Sequence, residues 1–128
     1  MLWGKTANNG KSTLLEIIES IFLQESYTST TLTQLESKHG IAQLPNTRLI
    51  VNDETEDKAL DSSTVFKSII TGGMVPVEPK NKSIYNYIPE QKYIGGFNRP
   101  PKFNDKTGGV FRRLIILPFE WEYNKTRD

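Results

Sequence analysis

Residues 4–13 read Gly-Lys-Thr-Ala-Asn-Asn-Gly-Lys-Ser-Thr, and an apolar run begins directly after them. Gly4 and Gly10 allow the backbone to turn with its N–H groups facing inward, which creates a concave site for an anion. A helix that begins between Lys11 and Thr13 adds its free N–H groups and the positive end of its dipole to that site. The stretch therefore predicts a phosphate-binding loop. Five residues separate the two glycines, one more than in the common form of such loops, and the alternative is an ordinary surface turn.

The side chains of this loop are of the types that bind a nucleoside triphosphate. Lys11 supplies a point charge for the β- and γ-phosphates, and Ser12 supplies a hydroxyl for Mg²⁺. Thr13 is expected on the α-phosphate side. ATP and Mg²⁺ are the predicted cofactors. The predicted nucleotide-binding residues are Asn8, Asn9, Gly10, Lys11, Ser12 and Thr13.

The composition excludes several classes of protein. A chain of 128 residues is long enough for one domain with one core. Its 16 basic and 15 acidic residues are balanced, so nucleic-acid binding requires a local basic patch. The absence of cysteine and the single histidine argue against disulfides and against thiolate or histidine metal sites. No apolar run approaches the roughly 20 residues of a membrane span, and no signal peptide is evident, so we expect a cytoplasmic protein without a membrane partner.

The strand that precedes the loop is short. Only Met1, Leu2 and Trp3 stand before Gly4, whereas a phosphate-binding loop normally leaves the end of a buried central strand. The first strand is therefore expected to be truncated. The two explanations are a fragment of a longer protein and a truncated reading frame.

Helices are predicted where apolar residues recur at spacings of three and four. The first follows the loop and buries one face of residues 14–22, and residues 24–33 form a polar connector. A short helix covers residues 32–38 and ends at Gly40. Another opens at Asp61 with N-cap chemistry and ends at Gly72. The buried faces of these two longer helices comprise Leu14, Leu15, Ile17, Ile18, Ile21 and Phe22 in the first, and Val65, Phe66, Ile69 and Ile70 in the last.

An apolar strand at residues 47–52 ends at two carboxylates, Asp53 and Glu54. In a nucleotidase with a phosphate-binding loop, one carboxylate orients the Mg²⁺ shell and the other orients or deprotonates the attacking water. We assign the metal to Asp53 and the water to Glu54. The alternative is a solvated acidic turn.

Residues 75–88 predict a β-hairpin with a basic tip. Pro76 and Pro79 restrict its first arm to a sheet edge or a protruding ribbon. Lys80 and Lys82 lie at the tip, where they can contact the phosphates of a nucleic acid without reading its sequence. Exposed lysines are also an ordinary surface feature.

Two further strands carry polar residues at one end. Residues 92–97 form a strand that ends at Asn98, whose amide can hydrogen-bond the γ-phosphate and the attacking water; a routine turn residue before proline is the alternative. Residues 114–119 are apolar and predict a strand buried on both faces of a parallel sheet. Arg112 and Arg113 precede it and can stabilise transition-state charge as an arginine finger does, or form a structural ion pair.

In this order, the motifs resemble those of the ATPase domain of superfamily-three helicases, of the primase–helicase type found in phages and plasmids. The loop ending Asn-Gly-Lys-Ser-Thr also occurs in that family, and Phe-Asn-Arg-Pro-Pro at 97–101 and Phe-Arg-Arg-Leu at 111–114 are fairly specific. The matching stretches are residues 4–13, 48–56, 67–73 with the hairpin that follows, 97–101 and 109–119.

The resemblance implies an α/β fold of the three-layer, AAA+-like P-loop NTPase type, with a central, mostly parallel sheet, a protruding β-hairpin and a truncated first strand. It also implies a homo-oligomer, usually a hexameric ring, with nucleotide bound between subunits. Residues 1–128 would form a single helicase core domain, a fragment of a longer primase–helicase that couples ATP hydrolysis to translocation on single-stranded DNA. The roles carried over are Lys11 and Ser12 in the first motif, Asp53 and Glu54 in the second, Asn98 as sensor, Arg112 or Arg113 acting on the neighbour's ATP, and Lys80 and Lys82 facing DNA.

Two other functions remain as alternatives. One is a non-catalytic nucleotide-binding remnant of a mobile-element protein. The other is a P-loop kinase for a small molecule, which leaves the basic hairpin unexplained and for which no acceptor-binding lid is evident in the sequence.

Overall fold

The computed structural model describes residues 1–53, 64–99 and 108–122. Four α-helices and seven strands lie in these ranges, together with short 3-10 turns. The helices are α1 (Lys11–Ile21), α2 (Leu32–Leu35), α3 (Lys38–Gln43) and α4 (Thr64–Thr71). The strands are β1 (Leu2–Trp3), β2 (Tyr27–Ser29), β3 (Leu49–Asn52), β4 (Val75–Val77), β5 (Tyr85–Tyr87), β6 (Lys92–Phe97) and β7 (Leu117–Pro118).

Five strands form one parallel sheet in the order β2-β3-β6-β1-β7. In the register of its centre, Val51 lies beside Ile94 and Leu2 lies beside Gly96. The chain is thus an α/β protein with a parallel central sheet, as the sequence predicted. All five strands point the same way, so their carboxyl ends meet at one edge.

The sheet is covered on both faces because side chains alternate along each strand. Leu49 and Val51 pack with Leu15 of α1 on one face. Ile50, between them in sequence, packs with Phe66 of α4 on the other. This alternation explains why β3 is apolar at every position but its last, and it confirms the predicted buried strand.

The predicted hairpin is present as a separate antiparallel pair, β4 and β5. Val75 and Val77 are buried in the same cluster as α4, whereas the hairpin tip, residues 79–83, is largely exposed. Gln91 supports the base, because its buried Nε2 donates to the Tyr87 hydroxyl at 2.9 Å and to the Thr47 carbonyl at 3.0 Å.

The single helix predicted to end at Gly40 is wrong. Two short helices lie there, because α2 ends at Leu35 and Ser37 caps a new helix, α3, by accepting from the Gly40 N–H at 3.0 Å. Gly40 lies inside α3. A β-carbon at that position would collide with backbone atoms of Gln34 and Leu35, so the glycine allows α2 and α3 to pack closely.

The connector predicted at residues 24–33 contains strand β2, which the sequence analysis missed. Its residues are Tyr-Thr-Ser, and among the described strands it pairs with β3 alone. A polar, half-exposed edge strand of three residues carries too little alternation to be distinguished from a loop.

The buried face predicted for α1 is narrower than expected. Leu15 is buried and Leu14 and Ile18 are half-buried, but Ile17 is 54% and Ile21 75% exposed. Phe22, just beyond the helix, is also exposed. Only the side of α1 that faces the sheet is covered in the part of the chain that the structure describes.

The buried strand predicted at residues 114–119 is also wrong. Only Leu117–Pro118 is a strand, and it forms an edge of the sheet beside β1. Ile115 is 74% and Leu117 47% exposed. Since β1 itself spans two residues, it offers β7 a pairing partner over only that length. No helix in the described ranges is long and apolar enough to cross a membrane.

Candidate nucleotide site

A cleft of about 310 Å³ opens at the carboxyl edge of the sheet. The loop between β1 and α1 forms one wall, Asp53 follows β3, and Asn98 follows β6. The structure therefore brings together Lys11, Asp53 and Asn98, which are far apart in sequence. The lining residues are Ala7, Asn8, Asn9, Gly10, Lys11, Ser12, Thr13, Asp53, Gly96 and Asn98.

The loop backbone is left-handed at two positions. Gly10 has φ 85° and Asn8 has φ 56°, both in the left-handed region that glycine and asparagine adopt most readily. Gly10 is the N-cap of α1 and provides no capping side chain. The predicted helix start at Lys11 is confirmed, and the first N–H groups of α1 lie at the cleft.

Lys11 is only 6% exposed. Its ammonium donates to Asn9 Oδ1 at 2.8 Å, to the Thr6 carbonyl at 3.1 Å and to the Gly4 carbonyl at 3.2 Å. Burial lowers the pKa of Lys11 from its ordinary value, and the charge of Asp53 opposes part of that shift. Among the described residues, the three oxygens that accept from this ammonium belong to neutral groups, and a buried cation is stabilised by a nearby anion.

Ser12 and Asp53 lie within hydrogen-bond distance. The Ser12 hydroxyl donates to Asp53 Oδ1 at 3.2 Å. These two oxygens suit Mg²⁺, which in nucleotide sites takes one or two protein ligands and completes its shell with phosphate oxygens and water. No cluster of three or more histidine, aspartate or glutamate side chains occurs among the described residues.

Gly96 belongs to this site although the sequence analysis did not single it out. It lies in β6, and a β-carbon there would stand 3.0 Å from Asp53 Oδ1, so its absence leaves room for the carboxylate beside the loop. The signal was the Gly95-Gly96 pair inside a predicted strand, because strand glycines mark a close approach of other groups.

A comparison with protein-family models matches residues 2–113 to a family described as of unknown function, DUF5906. The chain belongs to the DUF5906 family. The match covers the loop, the strands that carry Asp53 and Asn98, and the hairpin. The cleft thus lies wholly within the region that defines DUF5906.

The remaining predicted residues of this DUF5906 chain lie away from the cleft or outside the description. Arg112 and Arg113 form an exposed 3-10 turn, and Arg113 Nη1 donates to the Gly109 carbonyl at 2.7 Å. Neither arginine lines the cleft. Lys80 and Lys82 lie exposed at the hairpin tip. Glu54, predicted to act on the attacking water, lies outside the described residues.

Proposed function

We propose that this chain binds and hydrolyses ATP with Mg²⁺ as a P-loop NTPase of AAA+-like fold, and that it is the ATPase core of a DNA helicase. The observation that supports this most strongly is the convergence of Lys11, Ser12, Asp53 and Asn98 on one cleft at a helix N-terminus. The backbone N–H groups and the dipole of the helix suffice to bind a phosphate at such a terminus. Hydrolysis also requires a positive charge, metal ligands and a group that orients water, and the polar side chains around the terminus are of those types.

Each side chain has a distinct part in the proposed reaction. Lys11 binds the β- and γ-phosphates, and Ser12 and Asp53 hold Mg²⁺, which when bound neutralises charge on the phosphates. Asn98 orients the attacking water and the γ-phosphate. Since β6 lies between β1 and β3, Asn98 stands between the loop and Asp53, where the γ-phosphate would lie. Glu54 stays assigned to the water as a sequence-based prediction.

The nucleobase has a separate place in this proposal. A second cleft, of about 320 Å³, includes the first residues of the loop and is lined by Trp3, Gly4, Lys5, Thr6, Phe119 and Glu120. Two aromatic side chains suit a planar base.

The helicase part of the proposal depends on the hairpin and on the arginines. Lys80 and Lys82 are exposed and form no ion pair with another described residue, so both charges can contact single-stranded DNA. Arg112 and Arg113 lie outside the cleft, which suits action on a neighbouring subunit's ATP in a hexameric ring. The alternative for the two arginines is a structural ion pair, and neither arginine forms one with another described residue.

ATP hydrolysis measured with and without single-stranded DNA tests the proposal. We expect DNA-stimulated hydrolysis that Lys11→Ala abolishes, because the buried ammonium is the only lysine at the cleft among the described residues. Lys67→Ala is the matched control, since Lys67 is exposed on α4. Tight ATP binding without turnover would indicate a nucleotide-binding remnant instead. Turnover that needs a small acceptor and ignores DNA would indicate a kinase.

A further inference from the structure

Asn9 is buried within the loop and uses both ends of its amide. It is 5% exposed. Its Nδ2 donates to the Thr6 carbonyl at 2.7 Å and to the Phe119 carbonyl at 3.3 Å, while its Oδ1 accepts from Lys11 Nζ at 2.8 Å. The reversed amide would place Oδ1 against two carbonyl oxygens and the NH₂ group against an ammonium, so the neighbours fix its orientation.

Lys11 is held by as many acceptors as it has donors. An ammonium has three N–H groups, and the oxygens of Asn9, Thr6 and Gly4 lie at 2.8, 3.1 and 3.2 Å from Nζ. Asn9 Oδ1 is the nearest of the three and the only one on a side chain. A triphosphate must therefore displace at least one of these oxygens before Lys11 can donate to it.

Gly4 makes the position of Asn9 possible. A β-carbon at Gly4 would collide with Asn9 Nδ2 and with the Phe119 carbonyl oxygen. The Phe119 carbonyl follows β7, and the Phe119 N–H donates to the Trp3 carbonyl at 2.5 Å. Through Asn9, the middle of the loop is thus fastened to the chain that leaves the edge strand of the sheet.

We propose that Asn9 is a positioning residue that holds the Lys11 ammonium inside the loop until a nucleotide displaces it, and that it fastens the loop to the end of β7. This inference rests on the proposed function, since it assigns the Asn9 side chain to Lys11 rather than to the phosphates. Binding then exchanges the neutral Asn9 oxygen for a charged phosphate oxygen, which makes the stronger hydrogen bond. The link to Phe119 keeps the loop in place during the exchange.

A double-mutant cycle without nucleotide tests the contact itself. Unfolding of the full chain is measured for Asn9→Ala, for Lys11→Met and for both together. We expect the effects on the unfolding equilibrium constant to be non-additive by about tenfold, as for a hydrogen bond to a charged group. Asn9→Ala combined with Lys67→Met is the matched control and should be additive. Additivity with Lys11→Met as well would overturn the proposal.

Nucleotide affinity tests what the contact does. Asn9→Asp places a carboxylate beside the Lys11 ammonium, whereas Asn8→Asp adds the same charge one residue earlier, at an exposed position with φ 56° that aspartate tolerates. With a fluorescent ATP analogue, we expect Asn9→Asp to weaken binding about tenfold more than Asn8→Asp, because an ion pair competes with phosphate for the ammonium. Equal weakening would overturn the proposal, since the added charge alone would then explain both.

A third variant separates this inference from the proposed function. Asn9→Ala and Gly4→Ala should both weaken ATP binding, because each breaks the link between the loop and the Phe119 carbonyl that keeps the loop in place; wild-type affinity in Gly4→Ala would overturn the inference. If the unmodified chain bound no ATP while the unfolding cycle with Lys11→Met stayed non-additive, the proposed function would be wrong and the contact between Asn9 and Lys11 would stand.

Discussion

Lysines occupy two opposite environments in this protein, the cleft and the hairpin tip. Lys11 is 6% exposed, and three oxygens fix its ammonium. Lys80 and Lys82 lie in water at a turn, and neither forms an ion pair with another described residue. The cleft therefore fixes the position of its ammonium group, whereas the ammonium groups at the hairpin tip can move with their side chains.

This difference teaches that the two regions should respond to different properties of a substitution. A buried ammonium with three fixed acceptors depends on its shape as well as on its charge. An exposed lysine near a phosphate backbone acts mainly as a charge, because such contacts arise from counterion release and carry no geometric readout. Substitutions that keep the charge but change the shape distinguish the two.

The largest expected effect is that of Lys11→Arg. The planar guanidinium is bulkier than an ammonium and cannot place its donors on the same three oxygens, so it should disturb the loop and misplace the charge. We expect the rate of ATP hydrolysis to fall about 100-fold, the typical loss when one charge-stabilising group is misplaced. The readout is kcat at saturating ATP.

The matched substitution at the hairpin tip is Lys82→Arg, which keeps the positive charge at an exposed position where no fixed acceptors restrict the shape of the side chain. We therefore expect ATP hydrolysis by this variant to remain stimulated by DNA. Loss of activity in Lys82→Arg comparable to that in Lys11→Arg would contradict the comparison, because a shape requirement would then exist at both places.

The parts of the fold that the sequence predicted are those with a strong local signal. The start of α1 at Lys11 could be predicted because a glycine precedes it and apolar residues at helical spacing follow it. Strand β3 could be predicted because burial on both faces makes its sequence continuously apolar up to Asn52. Cleft residues Asp53 and Asn98 could be predicted since each directly follows such a strand. Their meeting followed from the rule that parallel strands end at one edge.

The parts that escaped prediction depend on contacts far apart in sequence. The side chain of Asn9 donates a hydrogen bond to the Phe119 carbonyl, 110 residues away, and no local sequence pattern predicts that contact. Strand β7 is exposed, although residues 114–117 are apolar, because its place at the edge is decided by pairing with β1. Whether a strand lies at an edge depends on the assembled sheet, and a strand of two residues is too short to show its position in its own sequence.

An intermediate effect is expected from removing both charges at the hairpin tip. Lys80→Ala with Lys82→Ala should lower DNA stimulation of ATP hydrolysis and flatten the salt dependence of DNA binding. Each lost phosphate contact to a single strand reduces the slope of log K against log salt by about 0.7. The control is Lys67→Ala with Lys92→Ala, two exposed lysines on α4 and at the start of β6. An equal change of slope in the control would mean that net charge, not the hairpin, binds DNA.

The smallest expected effect concerns how the hairpin is held. Glu78 pairs with Lys38 of α3 at 2.9 Å, but the two side chains are 47% and 79% exposed, and exposed pairs contribute from zero to about 1 kcal/mol. Val77 next to it is fully buried, and its truncation removes two methyl groups from the core. We therefore expect Glu78→Gln to change the free energy of unfolding by less than about 0.5 kcal/mol and Val77→Ala to lower it by about 2 kcal/mol. Urea unfolding of both variants measures the difference. If Glu78→Gln proved as costly as Val77→Ala, the base of the hairpin would be held by charge, and the separation between a packed base and a solvated tip would have to be abandoned.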